Sequence, residues 1–230
     1  MRNHTRRIYY TKLRKIVRDL PLIDSTLMFF VRKLRVMFFR KLLAKTYQFP
    51  EAQSEIVSDY DYSIKETYRN PTQVLNIEQV VKYIVEKKLR GAVVETGVFT
   101  GGASAYMLRS LMRRSGKTFM TPTYWGFDSF EGMPAPTVED GIHAKNWLYG
   151  KEKSKDLTEK VKLAGHDTNV ASYEACLHYL INTGYPSEKI NLKKGWFQHT
   201  ISRTKQKIGP IAILRLDGDF YESTKIVLEE

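Results

Sequence analysis

Two carboxylates follow an apolar run near the end of the 230-residue chain, in the segment IAILRLDGDFYEST (residues 211–224). Only Arg215 interrupts the apolar residues, and a single glycine separates Asp217 from Asp219. This pattern predicts a buried strand whose tip presents Asp217, where a carboxylate could bind a cation such as Mg²⁺ or take a proton from a hydroxyl. Asp219 could be a second ligand, a base or the cap of a helix that begins near Tyr221, and capping is the slightly favoured role.

A second candidate site is the glycine-rich segment VVETGVFTGGAS (residues 93–104), between a predicted strand and a predicted helix. Gly97 and Gly101 could let a ligand approach the backbone, although a purely structural tight turn explains them equally well. The segment lacks the G-x-G-x-x-G pattern of nicotinamide enzymes and the G-K-[ST] ending of phosphate loops. Glu95 at the strand tip suits a ligand with cationic and hydroxyl groups, and S-adenosylmethionine is such a ligand.

Two further motifs follow later strands, YWGFDSFEGMP (residues 124–134) and KKGWFQHT (residues 193–200). Asp128 ends the first of these strands and could accept hydrogen bonds from both hydroxyls of a ribose; a loop or capping carboxylate is the alternative. Phe197 could pack against an adenine while Gln198 bonds its edge, although aromatic residues in such places more often belong to the core.

Strands and helices alternate after Pro71, which predicts an α/β fold with a Rossmann-like parallel sheet covered by helices on both faces. Predicted strands span residues 91–97, 123–130, 189–197 and 210–219, and residues 131–153 are predicted to form a long loop. Parallel sheets of this kind bind ligands outside the carboxyl ends of their strands. Four candidate residues lie at or just beyond a strand end, namely Glu95, Asp128, Gln198 and Asp217.

Taken together, the four motifs resemble the macrocin O-methyltransferase family over roughly residues 72–230. The resemblance implies a class I, S-adenosylmethionine-dependent enzyme that methylates sugar hydroxyls of natural products with a divalent metal such as Mg²⁺. The residues it places around the methionine part of the cofactor are Glu95, Gly97, Gly101 and Ser104. It places Asp128 at the ribose, Phe197 and Gln198 beside the adenine, and Asp217 at the metal, where Asp217 could also be the base or orient it.

Two positions depart from the family's pattern. His199 stands where the family usually has Asp, and the family's "DD" pair on the next strand, which completes the metal site, is not in these 230 residues. The expected fold is therefore incomplete at its C-terminus. A non-catalytic cofactor-binding module, or a module docked on a membrane surface, is the competing interpretation.

Basic residues are concentrated at the start of the chain, which divides it into a basic helical segment (residues 1–49), a polar junction (residues 50–71) and the cofactor-binding domain (residues 72–230). The chain carries a net charge of +12, and residues 1–49 hold 13 Lys and Arg against two Asp. The remainder holds 24 basic and 23 acidic side chains, so the predicted domain is close to neutral. The single cysteine, Cys176, fits a reducing, cytoplasmic location.

The basic segment predicts a helix, but its charges interrupt the apolar run too often for a membrane span or a signal peptide. One helical face would carry Leu27, Phe30, Val31, Leu34, Phe38 and Leu42. The favoured role is packing on the domain or on a second subunit in a homo-oligomer. Attachment to an anionic membrane surface is the alternative, and nucleic-acid binding comes third.

Overall fold

A computed structural model of the protein describes residues 25–46, 50–64, 71–115, 121–149 and 169–230. The chain divides into two compact units, Met1–Gln53 and Ser54–Glu230. The α-helices of the described residues are α1 (Ser25–Thr46), α2 (Pro50–Ser63), α3 (Pro71–Glu86), α4 (Gly102–Ser115), α5 (Gly141–Tyr149), α6 (Tyr173–Ile181), α7 (Phe197–Ile208) and α8 (Tyr221–Glu229).

Four parallel strands form the sheet of the second unit, in the order β3-β2-β1-β4. They are β1 (Ala92–Thr96), β2 (Tyr124–Asp128), β3 (Ile190–Lys194) and β4 (Ile211–Leu216). The chain places β2 and β3 on one side of β1 and then returns to place β4 on the other side. The strand order therefore reverses between β1 and β4, where open α/β sheets form their ligand crevice. The predicted fold class is confirmed.

The register between β1 and β4 places the predicted site residues Glu95 and Asp217 at neighbouring strand ends. Glu95 pairs with Arg215, and Thr96 pairs with Leu216. The backbone N–H of Asp217 donates to the carbonyl oxygen of Thr96 at 2.8 Å, so the pairing continues to the carboxylate at the tip of β4. All five residues of β1 are buried, as expected for a central strand covered on both faces.

Two segments are more regular than their composition predicts. The predicted loop 131–153 contains α5, and the polar segment predicted as a junction contains α2. One acidic residue of α2, Asp59, is buried and forms ion pairs with Arg109 (2.8 Å) and Arg113 (2.9 Å) of α4. The polar composition of residues 50–71 therefore did not indicate a packed helix, because the arginines that neutralise Asp59 lie on α4, far along the sequence.

Glu78 of α3 lies at the centre of this polar cluster. Its buried carboxylate accepts hydrogen bonds from four side chains of α4: Tyr106, Ser110, Arg113 and Arg114. Arg113 joins Glu78 (2.8 Å) to Asp59 of α2. Burial by itself would raise the pKa of Glu78, but the hydrogen bond and charge of Arg113 and the charge of Arg114 outweigh it and hold the pKa at about 2.

This cluster predicts a loss of stability in acid. Because the pKa of Glu78 falls from 4.5 to about 2 on folding, its contribution is complete above about pH 5 and is lost as the pH falls towards 2. Between pH 7 and pH 3, the free energy of unfolding should therefore fall by about 2 kcal/mol more in the unmodified chain than in Glu78→Gln. Urea unfolding at the two pH values measures this. Glu86→Gln, an exposed position on the same helix, should behave like the unmodified chain, and equal pH dependence in all three proteins would contradict the prediction.

The helix α8 is capped from outside its own sequence neighbourhood. Its N-cap residue, Phe220, makes no side-chain cap bond, whereas the N–H of Tyr221 donates to Oδ1 of Asp140 at 2.6 Å. The other oxygen of Asp140 accepts from the N–H of Thr137 at 2.7 Å. Asp140, in the segment after β2, therefore supplies a capping carboxylate that the sequence did not predict, and the slightly favoured capping role of Asp219 stays a prediction.

Three members of the face predicted for the basic N-terminal helix are exposed in the part of the chain that the structure describes. Phe30, Leu34 and Phe38 are each more than half exposed, at 57%, 59% and 52%. Phe39 and Leu43, on the other side of α1, have no exposed surface. Among the helices that the structure describes, none is both long enough and apolar enough to cross a membrane.

Candidate active site

The tips of β1 and β4 touch because residue 97 is glycine. Gly97 has φ +86°, in the region that favours glycine, and a Cβ atom there would lie 2.2 Å from the carbonyl oxygen of Asp217. Gly101 has φ +87°, and its Cβ would lie 3.0 Å from Sγ of Cys176 on α6. Close packing of the chain on itself therefore explains both glycines, while the predicted approach of a ligand to them stays a prediction.

Glu95 and Ser104 are brought together beneath the glycine-rich turn. Both are fully buried, and Oγ of Ser104 donates to Oε2 of Glu95 at 2.5 Å. The hydroxyl of Tyr124 on β2 lies 2.9 Å from each of them. Gly126, two residues further along β2, leaves room for this hydroxyl, since a Cβ there would lie 2.7 Å from it. Tyr124 and Gly126 are not among the residues predicted from the sequence, although the two-residue period of a strand places them on one face.

Arg215 connects this buried network to the acidic tip of β4. Its Nη1 lies 2.5 Å from Oε1 of Glu95, and its Nη2 lies 3.0 Å from Oδ2 of Asp217. Burial would lower the pKa of Arg215, but the charges of Glu95 and Asp217 raise it above its ordinary value. Arg215 is therefore a fixed cation between the two carboxylates. Its two partners lie on β1 and at the tip of β4, and the pairing with Glu95 joins residues 120 positions apart in the chain.

Asp128 ties the end of β2 to the glycine-rich turn. Its Oδ2 accepts from the N–H of Phe99 at 2.8 Å, and its Oδ1 accepts from the N–H of Phe130 at 2.7 Å. Burial raises the pKa of Asp128, and these backbone donors oppose the shift. Phe99 and Phe130 have φ of +55° and +58°, an uncommon conformation for bulky residues that clusters at functional sites.

Phe197 and Gln198 open α7 next to the acidic tip of β4. A Cβ at Gly218 would lie 3.1 Å from Cε2 of Phe197, so the half-buried ring packs directly on the turn between the two aspartates. Gln198 is half-buried, whereas His199 is exposed. An aromatic ring and an amide thus lie at the same edge of the sheet as Asp217.

Asp219 is exposed and has φ +61°, a conformation that Asp tolerates better than most residues. Among the residues that the structure describes, no group of three or more His, Cys, Asp or Glu side chains is placed to hold a metal ion. The cation that contacts Asp217 is Arg215. Magnesium at Asp217 therefore stays a prediction.

The same residues do fit the chemistry of S-adenosylmethionine. A carboxylate can accept about four hydrogen bonds, so Asp128 retains capacity for ribose hydroxyls beyond its bonds to Phe99 and Phe130. Phe197 and Gln198 offer an aromatic face and an amide of the kind that recognises a flat base. Asp128 ends β2, and Phe197 and Gln198 follow β3, so all three lie beyond the carboxyl ends of parallel strands, where such sheets bind ligands.

Several known proteins are similar to this chain in sequence. A sequence profile of the macrocin O-methyltransferase (TylF) family matches residues 66–230. Demethyldecarbamoylnovobiocin O-methyltransferase of Streptomyces niveus is 30% identical over 80% of this chain and 69% of its own length. An 8-demethyl-8-(2,3-dimethoxy-alpha-L-rhamnosyl)-tetracenomycin-C 4'-O-methyltransferase of Streptomyces olivaceus is 29% identical over 78% of this chain. The chain spans 62% of the length of that relative.

Two solved methyltransferase structures are similar to this chain in fold. The O-methyltransferase NovP superposes with a TM-score of 0.55 at 26% identity, over 86% of this chain and 77% of NovP. The calicheamicin methyltransferase CalS11 superposes with a TM-score of 0.51 at 17% identity, over 92% of this chain and 75% of CalS11, a likeness of fold alone. The family match covers most of the second compact unit and every residue of the candidate site. The chain belongs to the macrocin O-methyltransferase family.

Proposed function

We propose that the protein transfers a methyl group from S-adenosylmethionine to a hydroxyl of a sugar or of a glycosylated small molecule. The observation that carries the proposal is the Glu95–Arg215–Asp217 chain, which presents a carboxylate at the crevice between β1 and β4. The relative whose name specifies 4'-O-methylation of a rhamnosyl tetracenomycin supports the choice of acceptor.

Methyl transfer to a sugar hydroxyl requires a group that removes the hydroxyl proton. Such a hydroxyl is a poor nucleophile, and its oxygen must be held in line with the methyl carbon while its proton is removed. S-adenosylmethionine supplies an electrophilic methyl group on a sulfonium when it is bound. Asp217 is partly exposed at the strand tip and is the side chain we assign to orient the hydroxyl and accept its proton.

Arg215 and Asp128 have supporting roles in this proposal. Arg215 holds the Asp217 carboxylate in one orientation and balances the charge of buried Glu95. Asp128 holds the ribose, and Phe197 with Gln198 holds the adenine, at the same edge of the sheet. The remaining predicted contacts, from Glu95, Gly97, Gly101 and Ser104, form the base of the methionine pocket. Magnesium bound at Asp217, with Asp219 as a further candidate, stays a prediction from the family resemblance.

A transfer assay tests the proposal. The full protein is incubated with S-adenosylmethionine labelled in its methyl group and with a rhamnosylated aromatic acceptor; the same acceptor without its sugar is the control. We expect label on a sugar hydroxyl of the first acceptor and none on the second. Labelling of both acceptors alike would contradict the sugar assignment.

The alternative is a non-catalytic module that binds the cofactor without transferring its methyl group. Isothermal titration with S-adenosylmethionine, with and without Mg²⁺, distinguishes the two possibilities when it is combined with the transfer assay. Cofactor binding without transfer to any glycosylated acceptor, and without an effect of Mg²⁺, would favour the module. Transfer that depends on Mg²⁺ would support both the enzyme and the metal prediction.

A further inference from the structure

One half of α1 exposes a row of large apolar side chains, which we call the aromatic face. Its members are Phe29, Phe30, Leu34, Met37 and Phe38, each 49–59% exposed. At about 100° per residue these positions fall within an arc of about 180°. Exposed apolar clusters of this kind on a protein surface mark sites of interaction with another protein, a ligand or a membrane.

The same arc carries only positive charge. Lys33, Arg40 and Lys41 are exposed within it, and Nζ of Lys33 lies 5.2 Å from the ring centroid of Phe29. Residues 25–46 contain six Lys and Arg and no Asp or Glu. The aromatic face is therefore set among cations without any acidic residue on the helix to neutralise them.

The opposite half of α1 also carries apolar side chains, and two of them are buried. Phe39 and Leu43 have no exposed surface, so the helix already satisfies one apolar face. This explains why the helix lacks a clear amphipathic pattern in the sequence, since both halves are apolar. The side chains of the exposed half are accessible in the part of the chain that the structure describes.

We propose that the aromatic face of α1 docks on an anionic membrane surface, with the helix lying in the plane of the interface. Phenylalanine, leucine and methionine side chains enter the boundary between headgroups and acyl chains, while lysine and arginine reach back to lipid phosphates. Each basic side chain near an anionic leaflet adds favourable binding energy. This inference is independent of the proposed methyl transfer, because it uses no residue of the candidate active site.

The charge pattern argues against two other occupants. A second copy docked through the same face would bring two rows of cations together without acidic partners, because the contact would be symmetric. Nucleic acid would satisfy the cations through its phosphates but would leave most of the five large apolar side chains in water. An anionic lipid surface satisfies the apolar side chains and the cations together.

Vesicle flotation tests the proposal with the full protein. The probes are vesicles of neutral phosphatidylcholine and vesicles containing equal parts of phosphatidylcholine and anionic phosphatidylglycerol. We expect the protein to float with the anionic vesicles and to remain at the bottom of the gradient with the neutral ones. Raising the salt from 0.1 M to 1 M should weaken binding about tenfold or more, because the Debye length falls from about 10 Å to about 3 Å.

Matched variants distinguish vesicle binding through the aromatic face from nonspecific adsorption of the protein to vesicles. Phe30→Ser with Phe38→Ser should lower vesicle binding about tenfold or more, while Tyr83→Ser with Leu228→Ser, at equally exposed positions of the second unit, should not change it. For the charges, Lys33→Glu with Lys41→Glu should have a similar effect, and Lys87→Glu with Lys207→Glu should have little.

Four results would overturn the proposal. They are no flotation with anionic vesicles, equal flotation with neutral vesicles, loss of binding in the control variants to the same extent, and tighter binding to duplex DNA or RNA than to vesicles. Analytical ultracentrifugation provides a further check. A dimer that Phe30→Ser with Phe38→Ser dissociates, in a protein that does not bind vesicles, would assign the face to a second copy instead.

Discussion

Replacing Arg215 with methionine should lower the free energy of unfolding by about 3–5 kcal/mol at pH 7. Methionine retains much of the side-chain volume but removes the guanidinium, so the carboxylate of Glu95 loses its counter-charge. Glu95 has no exposed surface, and water cannot replace the lost partner without opening the site. The remaining donors to Glu95, Ser104 and Tyr124, are neutral hydroxyls and do not balance its charge.

Urea unfolding of three further variants gives this prediction its controls. Arg203→Met, at an exposed arginine on α7, should cost less than about 0.5 kcal/mol. Arg215→Met combined with Glu95→Gln should recover a large part of the loss, because the buried charge is removed together with its partner. Arg215→Lys keeps the charge but not the two-pronged geometry, and should fall between the extremes. Equal stability of Arg215→Met and Arg203→Met would show that the ion pair contributes little.

Changing Asp217 to asparagine should lower kcat by about 10²- to 10⁴-fold, the range expected for removal of a general base. The prediction rests on the proposed methyl transfer. Asparagine keeps an oxygen that can accept from Nη2 of Arg215, so the strand tip should hold its shape while it loses the ability to take a proton. The affinity for S-adenosylmethionine should change little, because the predicted contacts with the cofactor come from other residues.

Steady-state transfer rates and isothermal titration separate these effects. Asp219→Asn is the matched control, two residues away and exposed, and it should reduce kcat less than Asp217→Asn does. Full turnover by Asp217→Asn would exclude Asp217 as the base. A parallel loss of kcat and of cofactor affinity would instead indicate that the strand tip had moved.

The strand tips of the site could be predicted because local patterns determine them. Glu95, Asp128 and Asp217 each follow a short apolar run that ends in a turn, and all three lie at strand ends in the structure. Their gathering at one edge of the sheet follows from the parallel fold that alternating strands and helices predict. The family resemblance then supplied roles that the residues alone left open.

Other features could not be predicted because they depend on partners far apart in the chain. The acidic segment that forms α2 was predicted as a junction, since its arginine partners lie about 50 residues later, on α4. Asp140 caps α8 across 81 residues, a contact that no local pattern indicates. In α1, both halves are apolar, and only the folded chain shows which half is covered.

By itself, the sequence determined the α/β class, the existence of the four strands and the chemistry of the side chains near their ends, because strand and helix periods and turn residues are local properties. Only the tertiary structure decided that β4 lies against β1 rather than beyond β3. That choice sets Arg215, which stands two residues before Asp217, opposite Glu95. The three charged side chains are thereby joined by ion pairs. Strand order depends on the packing of the whole domain, and no short stretch of sequence encodes it.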